Sequence, residues 1–486
     1  MSSYFTDLAQ QYIGGEWRPG TGSWDVIDFN PYDDEKLASI TVATVDEVDE
    51  AYRAAARAQK EWAATSPYTR RSVFERALRL IEDREQEIAD LIIAELGGTR
   101  VKAGFELHLA KEFLRESVHL ALRPEGKILP SPVDGKENRV YRVPVGVVGV
   151  ISPFNFPFLL SLKSVAPALA LGNAVVLKPH QNTPIAGGTL LAKIFEEAGL
   201  PGGLLNVVVT DIAEIGDAFI EHPVPKVISF TGSDKVGRHV ATVCAANFKR
   251  SVLELGGNSA LVVLDDADLD YAVDAAVFSR FVHQGQVCMA ANRVLVDRSV
   301  ADEFTDRFVA KVRTLKVGDP RDPRTVIGPV INSAQAGALA GTVEQALAEG
   351  ATALVRGTTT GNLVEPSVLT GVPADSALLQ QEVFGPVVFL IPFDGEEEAV
   401  RIVNDTPYGL SGAVHTGDIE RGVAFAKRID TGMFHVNDGT VHDEPLVPFG
   451  GEKHSGIGRL NGETTLEAFT TVKWISVQHG RSGFPF

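Results

Sequence analysis

Val145-Gly146-Val147-Val148-Gly149-Val150-Ile151-Ser152-Pro153-Phe154-Asn155-Phe156-Pro157 is the stretch that decides the architecture. Val145 to Ile151 is a continuous apolar run, the pattern of a parallel strand buried on both faces. Ser152-Pro153 cannot continue that strand, and Asn155 is held between two prolines just past its end. Open α/β sheets bind their ligands at this carboxyl edge. By itself such an asparagine also reads as a turn residue.

Working outward, the α/β rhythm repeats. A helix is expected from about Leu159 to Leu171, then the strand Ala174-Val175-Val176-Leu177 ending in Lys178-Pro179, then a helix from Thr183. Lys178 thus lies at the same sheet edge as Asn155, placed for a cofactor phosphate or ribose or simply solvated. Strands follow at Leu205 to Val209 and at Lys226 to Phe230. The second of these runs into Thr231-Gly232-Ser233-Asp234-Lys235-Val236-Gly237, a strand-to-helix turn whose free N–H groups suit a pyrophosphate. Upstream, Thr44-Val45-Asp46-Glu47 opens a helix as a capping box. Packing helices follow from Pro67 to about Glu95 and from Val101 to Leu122.

Composition bounds the possibilities. At 486 residues the chain is expected to form more than one domain. A net charge of −18 argues against nucleic acid and anionic membrane as partners. Two cysteines, Cys244 and Cys288, are too few for a disulfide framework or a cysteine-based metal site, so no metal is expected. Met1 to Asp7 lacks the basic and apolar segments of a secretory signal, and a cytoplasmic location is the expectation.

Two residues carry candidate chemistry. Ser251-Val252-Leu253-Glu254-Leu255-Gly256-Gly257 sets a carboxylate in an apolar strand, where desolvation raises its pKa toward the range of a general base; a glutamate paired with an arginine is the alternative. Gly285-Gln286-Val287-Cys288 presents a lone thiol beside a flexible glycine, either a nucleophile or a small buried hydrophobe. Cys244, within a helix, reads as packing.

Taken together with Gln381-Glu382-Val383-Phe384-Gly385-Pro386 and Pro448-Phe449-Gly450-Gly451, these motifs occur in the order found in the aldehyde dehydrogenase superfamily, which the chain resembles over nearly its whole length. Val441-His442-Asp443-Glu444-Pro445 and Gly456-Ile457-Gly458-Arg459 are most similar to the branch acting on benzaldehyde and vanillin. The resemblance implies an α/β fold. Residues 1–122 and 144–253 would form a Rossmann-like NAD(P)-binding domain and 254–466 a catalytic domain. Residues 123–143 and 467–486 would form a small β oligomerisation element that builds a homodimer or homotetramer.

It also implies roles for single residues. Cys288 would attack the aldehyde, with Asn155 and the backbone N–H of Cys288 stabilising the oxyanion, and Glu254 would activate water to release the acid. Part of the thiol would already be ionised near neutral pH. Ile151, Ser152, Lys178, Gln181, Gly232, Ser233, Gly237, Leu255, Glu382 and Phe384 would contact the cofactor. Phe154, Phe158, Leu159, Val287, Met289 and Phe449 would wall the aldehyde pocket. Gln181 stands where NAD-preferring relatives carry a glutamate; lacking that charge, it predicts that NADP is accepted as well as NAD.

Other chemistries remain open at this level. A coenzyme A-acylating dehydrogenase would share the thioester but has no need of Glu254, and an aliphatic aldehyde or semialdehyde is an alternative substrate. A cysteine hydrolase would need a histidine near Cys288, and His283 is a poor candidate.

Overall fold

A computed structural model describes residues 4–486. Met1 to Ser3, part of the segment read for a leader, lie outside the described residues. Two large sheets organise the chain. The first has eight strands in the order Glu16–Arg18, Gln11–Ile13, Leu205–Val207, Ala174–Lys178, Val147–Ile151, Val227–Thr231, Arg250–Glu254, Gly456–Ile457. Its five central strands, from Leu205–Val207 to Arg250–Glu254, run parallel. From Val147–Ile151 the chain first steps outward through Ala174–Lys178 to Leu205–Val207, then crosses back to Val227–Thr231. That reversal of strand order opens a crevice at the carboxyl ends.

The apolar sequence runs explain the burial. Val147, Val148 and Val150, with Ala174 to Leu177, are buried beneath the Pro157–Ala170 helix, whose residues are almost all buried. Glu47 accepts the Thr44 N–H at 3.0 Å, the reciprocal half of the capping box that opens Val45–Ala64. The helix expected from Pro67 to Glu95 is two, Pro67–Asp83 and Glu85–Leu96, meeting at Arg84, whose ψ of 18° leaves the helical range.

The second sheet has seven strands in the order Thr352–Val355, Ser367–Thr370, Val387–Phe393, Ala291–Asp297, Ser259–Val263, Gly412–His415, His435–Val436. Leu255 to Asn258 links the two sheets, so Glu254 ends one and stands at the entrance to the other. Thr470–Gln478 pairs antiparallel along its length with Lys136–Pro144, which also pairs with Lys127–Leu129. Among the described residues no helix is long and apolar enough to cross a membrane.

Candidate active site

Strand register aligns the candidate residues. Ile151 pairs with Lys178 on one side and Phe230 on the other, and Thr231 pairs with Glu254. The ends of four parallel strands therefore form one rim, with Ser152 following Ile151 and Gly232 following Thr231.

Cys288 reaches that rim from the opposite lobe, on the loop between the Leu269–Phe281 helix and the Ala291–Asp297 strand. The loop is sharply wound: His283, Gln284 and Gly285 all have positive φ, at 52°, 56° and 75°. Each non-glycine residue in that region costs on the order of 1 kcal/mol, so the turn needs anchors. Gln284 Nε2 donates to the Pro329 carbonyl at 2.8 Å, Gln286 Oε1 accepts the Ile331 N–H at 3.0 Å, and Asn155 Nδ2 donates to the Gln286 carbonyl at 3.0 Å. The buried Arg280 guanidinium donates to the carbonyls of Val383 at 2.8 Å and Gly285 at 3.3 Å, and also to that of Gly385. Gly257 lies so close to the loop that a Cβ would fall 2.2 Å from the Cys288 carbonyl oxygen, a contact only glycine allows.

Burial dominates the electrostatics. Desolvation pushes Glu254 up to about 8, against the opposing field of Lys163 and with help from Asp443, and neither carboxylate oxygen has a hydrogen-bond partner among the described residues. The arginine pairing open to Glu254 is not made: Arg459 donates to Gly451 and Gly458 carbonyls and to Glu452. Desolvation, with the carboxylates of Glu382 and Glu254, pushes the Cys288 thiol up to about 12. The same enclosure that raises Glu254 works against the partial ionisation expected of this thiol, which is itself partly exposed to the cleft. His283 packs edge-on to Phe156, and burial followed by the Lys102 ammonium pushes its imidazole well below the usual range, leaving it a poor base for Cys288. Cys244 is buried, and desolvation pushes its thiol up to about 11.

A cleft leads from Cys288 along the sheet edge. Ile151, Ser152, Lys178, Gly232, Ser233, Leu255, Glu382 and Phe384 line it. The donor set fits a dinucleotide. Lys178 Nζ has no hydrogen-bond partner among the described residues, and Ser233 caps a helix, Asp234–Ala246, whose first turn faces the cleft. Glu382 Oε1 accepts the Gly257 N–H at 3.0 Å, which leaves the second oxygen for a ribose hydroxyl. Ile215, Phe219, Val236 and Val240 form an apolar slot at the far end. Two expected contacts do not face the cleft. Gly237 lies against the Leu255 side chain, where a Cβ would meet Cδ2 at 2.4 Å, and Gln181 is exposed beyond the rim.

The model of the aldehyde dehydrogenase family matches residues 17–475. The chain belongs to the aldehyde dehydrogenase family. It is 60% identical over 482 residues to a benzaldehyde dehydrogenase of Bacillus subtilis, covering 99% of each chain. It is 48% identical over 474 residues to a vanillin dehydrogenase of Corynebacterium glutamicum, covering 97% of this chain and 98% of that one. The crystal structure of an NAD-dependent benzaldehyde dehydrogenase from Corynebacterium glutamicum superposes with a TM-score of 0.89 at 46% identity, covering 97% of this chain and 98% of that one.

Within this aldehyde dehydrogenase fold a second pocket opens beside Cys288 and Glu254. Leu159, Val287, Met289 and Phe449 line it. Phe158 does not: its side chain is buried in the core under the sheet, and its N–H donates to Glu106 at 3.0 Å. Helical spacing accounts for this, since Phe158 and Leu159 point to different sides of one helix. Phe154 stands in the cofactor cleft instead, edge-on to His180 and Phe384. Phe105, Phe156 and Val441 complete the apolar wall. At its back Lys163 pairs with Asp443 at 2.6 Å and lies 3.5 Å from the Phe449 ring centroid. Sequence reading missed Lys163 and Phe105; their only local signal was a place on core helices, and tertiary packing turns them toward the pocket.

Proposed function

We propose that the chain oxidises an aromatic aldehyde to its carboxylic acid, with Cys288 as nucleophile, Asn155 as oxyanion donor and Glu254 as general base. The reading is carried by the convergence of Cys288, Glu254 and an apolar, aromatic-walled pocket on the mouth of the cofactor cleft. The names of the benzaldehyde and vanillin dehydrogenases it resembles support the substrate class.

Burial raises the thiol's pKa, so its proton leaves as sulfur adds to the carbonyl carbon, passing to water in the cleft, and Glu254 on the same pocket wall is kept for the hydrolytic step. Asn155 Nδ2 and the Cys288 N–H then face the oxygen that gains charge. NAD, held in the cleft by Lys178, Glu382 and the turn at Gly232 and Ser233, would supply the hydride acceptor needed to turn the adduct on Cys288 into a thioester. Glu254 takes a proton from the water that attacks this thioester, releasing the acid and freeing the sulfur. Lys178 and Glu382 would hold ribose hydroxyls, and Ser233 with the helix after it would face the pyrophosphate. The expectation that NADP is also accepted rested on Gln181.

Residues 4–122 and 144–253 serve as the cofactor domain in this reading, and 254–466 as the catalytic domain. Residues 123–143 and 467–486 form a shared β element. Ile128, Trp474 and Val472 stand exposed on it, at 73%, 65% and 59%, and covering them requires a second copy. A homodimer or homotetramer follows, checked by sedimentation. A free nucleophilic thiol suits the reducing cytoplasm.

An absorbance screen at the reduced-nicotinamide band tests the function. Aromatic aldehydes should be oxidised with kcat/KM at least about tenfold above aliphatic ones and semialdehydes. A preference for the aliphatic compounds would refute the substrate class.

A further inference from the structure

Lys102 and Glu106 form an ion pair with no solvent exposure, and none of the chemistry at Cys288 described above uses it. Burying two charges costs free energy that a pair of apolar side chains would not, so the pair is explained by what it holds. Both residues stand one turn apart on the helix Arg100–Leu120, and Glu106 reaches across to another element. Its Oε1 accepts the N–H of Phe158 at 3.0 Å and that of Leu159 at 3.1 Å, while Oε2 pairs with Lys102.

What it holds is the start of the helix Pro157–Ala170, directly behind Asn155. That helix cannot cap itself: its N-cap residue is Phe156, whose side chain has no acceptor, and Pro157 has no N–H. The Leu160 N–H returns to the Phe156 carbonyl at 2.8 Å. Phe158 and Leu159 carry the remaining donors of the first turn, and Glu106 takes both. Hydrogen bonds to an ionised acceptor are the strong kind, and a carboxylate also suits the positive end of the helix dipole.

The same helix also grips the residue between. The Lys102 ammonium lies 4.5 Å from the Phe156 ring centroid, and Phe105 meets that ring edge-on with centroids 6.3 Å apart. From the Cys288 loop, His283 meets it edge-on at 5.4 Å. Asn155 is therefore held by a capped helix start, a clamped neighbour and its own amide bond to the Gln286 carbonyl at 3.0 Å. We propose that Lys102 and Glu106 are positioning residues for the oxyanion donor: they set the place of the Asn155 amide while lining neither the cofactor cleft nor the aldehyde pocket. Lys102 balances the carboxylate, so the clasp adds no net charge beneath the site. The proposal rests on Asn155 as the oxyanion donor and gives the buried pair a consequence for catalysis that capping alone would not have.

A double-mutant cycle on benzaldehyde oxidation tests it. Lys102→Met/Glu106→Leu replaces the pair with apolar side chains, a change that buried ion pairs tolerate, and removes the acceptor. It should lower kcat/KM at least about 30-fold in the Asn155 enzyme but less than about twofold in the Asn155→Ala background, because the pair acts only through that amide. Lys102→Met/Glu106→Gln, which keeps an acceptor oxygen without the charge, should restore kcat/KM to within about threefold of wild type, and the dissociation constant for NAD should stay within about threefold throughout. If the apolar pair fails to fold, Glu106→Asp carries the same test: it keeps the charge but is one methylene short of the helix start, and should cost at least about fivefold in the Asn155 enzyme alone. An unchanged kcat/KM in a folded variant, equal losses in both backgrounds, or a glutamine variant as poor as the leucine one would overturn the proposal. Wild-type activity in Asn155→Ala itself would instead overturn the oxyanion assignment, and this proposal with it.

Discussion

Asn155 Nδ2 and the carbonyl of Gln286 are joined by a hydrogen bond of 3.0 Å. The amide assigned to the oxyanion is thereby tied to the loop that carries Cys288, so one residue sets both the donor and the position of the nucleophile. Asn155→Ala should therefore lower kcat/KM by roughly 100- to 1000-fold. The dissociation constant for NAD, measured by titration, should stay within about threefold. Equal losses in both would mean that the substitution disorders the rim as a whole.

Glu254 must be ionised to take a proton from water, and burial places its pKa at about 8. Below that value the carboxyl is protonated and deacylation stalls; above it the base is present. The steady-state rate should rise with pH and level off above about 8, and the inflection should vanish in Glu254→Gln. A pH-rate profile that is flat from 6 to about 9 would contradict the assignment.

Asp443 pushes that pKa up while Lys163 pulls it down, and the two are paired at 2.6 Å behind the pocket. Replacing Asp443 with asparagine removes the negative charge and leaves the ammonium, so ionised Glu254 becomes easier to form. The inflection in the pH-rate profile should move to lower pH in Asp443→Asn. A shift to higher pH would show that Lys163 leaves the site when its partner is lost.

Arg280 clasps the Cys288 loop to the 382–386 loop through the carbonyls of Gly285 and Val383. Arg280→Met would leave these buried acceptors without a donor and should cost on the order of 3 kcal/mol of stability. Thermal or denaturant unfolding measures this, and the variant should also bind NAD more weakly because Glu382 loses its supported loop.

Much of this arrangement was legible in the chain. Val145 to Ile151 and Ala174 to Leu177 are apolar without alternation, which marks strands buried on both faces, and their ends located Asn155 and Lys178. Glu254 stood out because a carboxylate in an apolar strand has few explanations. Side-chain direction was harder to read. Phe158 and Leu159 are adjacent in sequence yet face different environments, a choice made by the helix's phase against the sheet. The surroundings of Cys288 were unreadable for a related reason: the carboxylates of Glu382 and Glu254 that oppose its ionisation come from elsewhere in the chain.

The central claim is that Cys288 carries the acyl group and Glu254 removes it. Mixing Glu254→Gln with benzaldehyde and NAD, then digesting the protein for mass spectrometry, tests it most directly. A burst of reduced cofactor accompanied by a benzoyl group on the Cys288 peptide is the predicted result. Continuous turnover at the wild-type rate with Cys288 unmodified would contradict it.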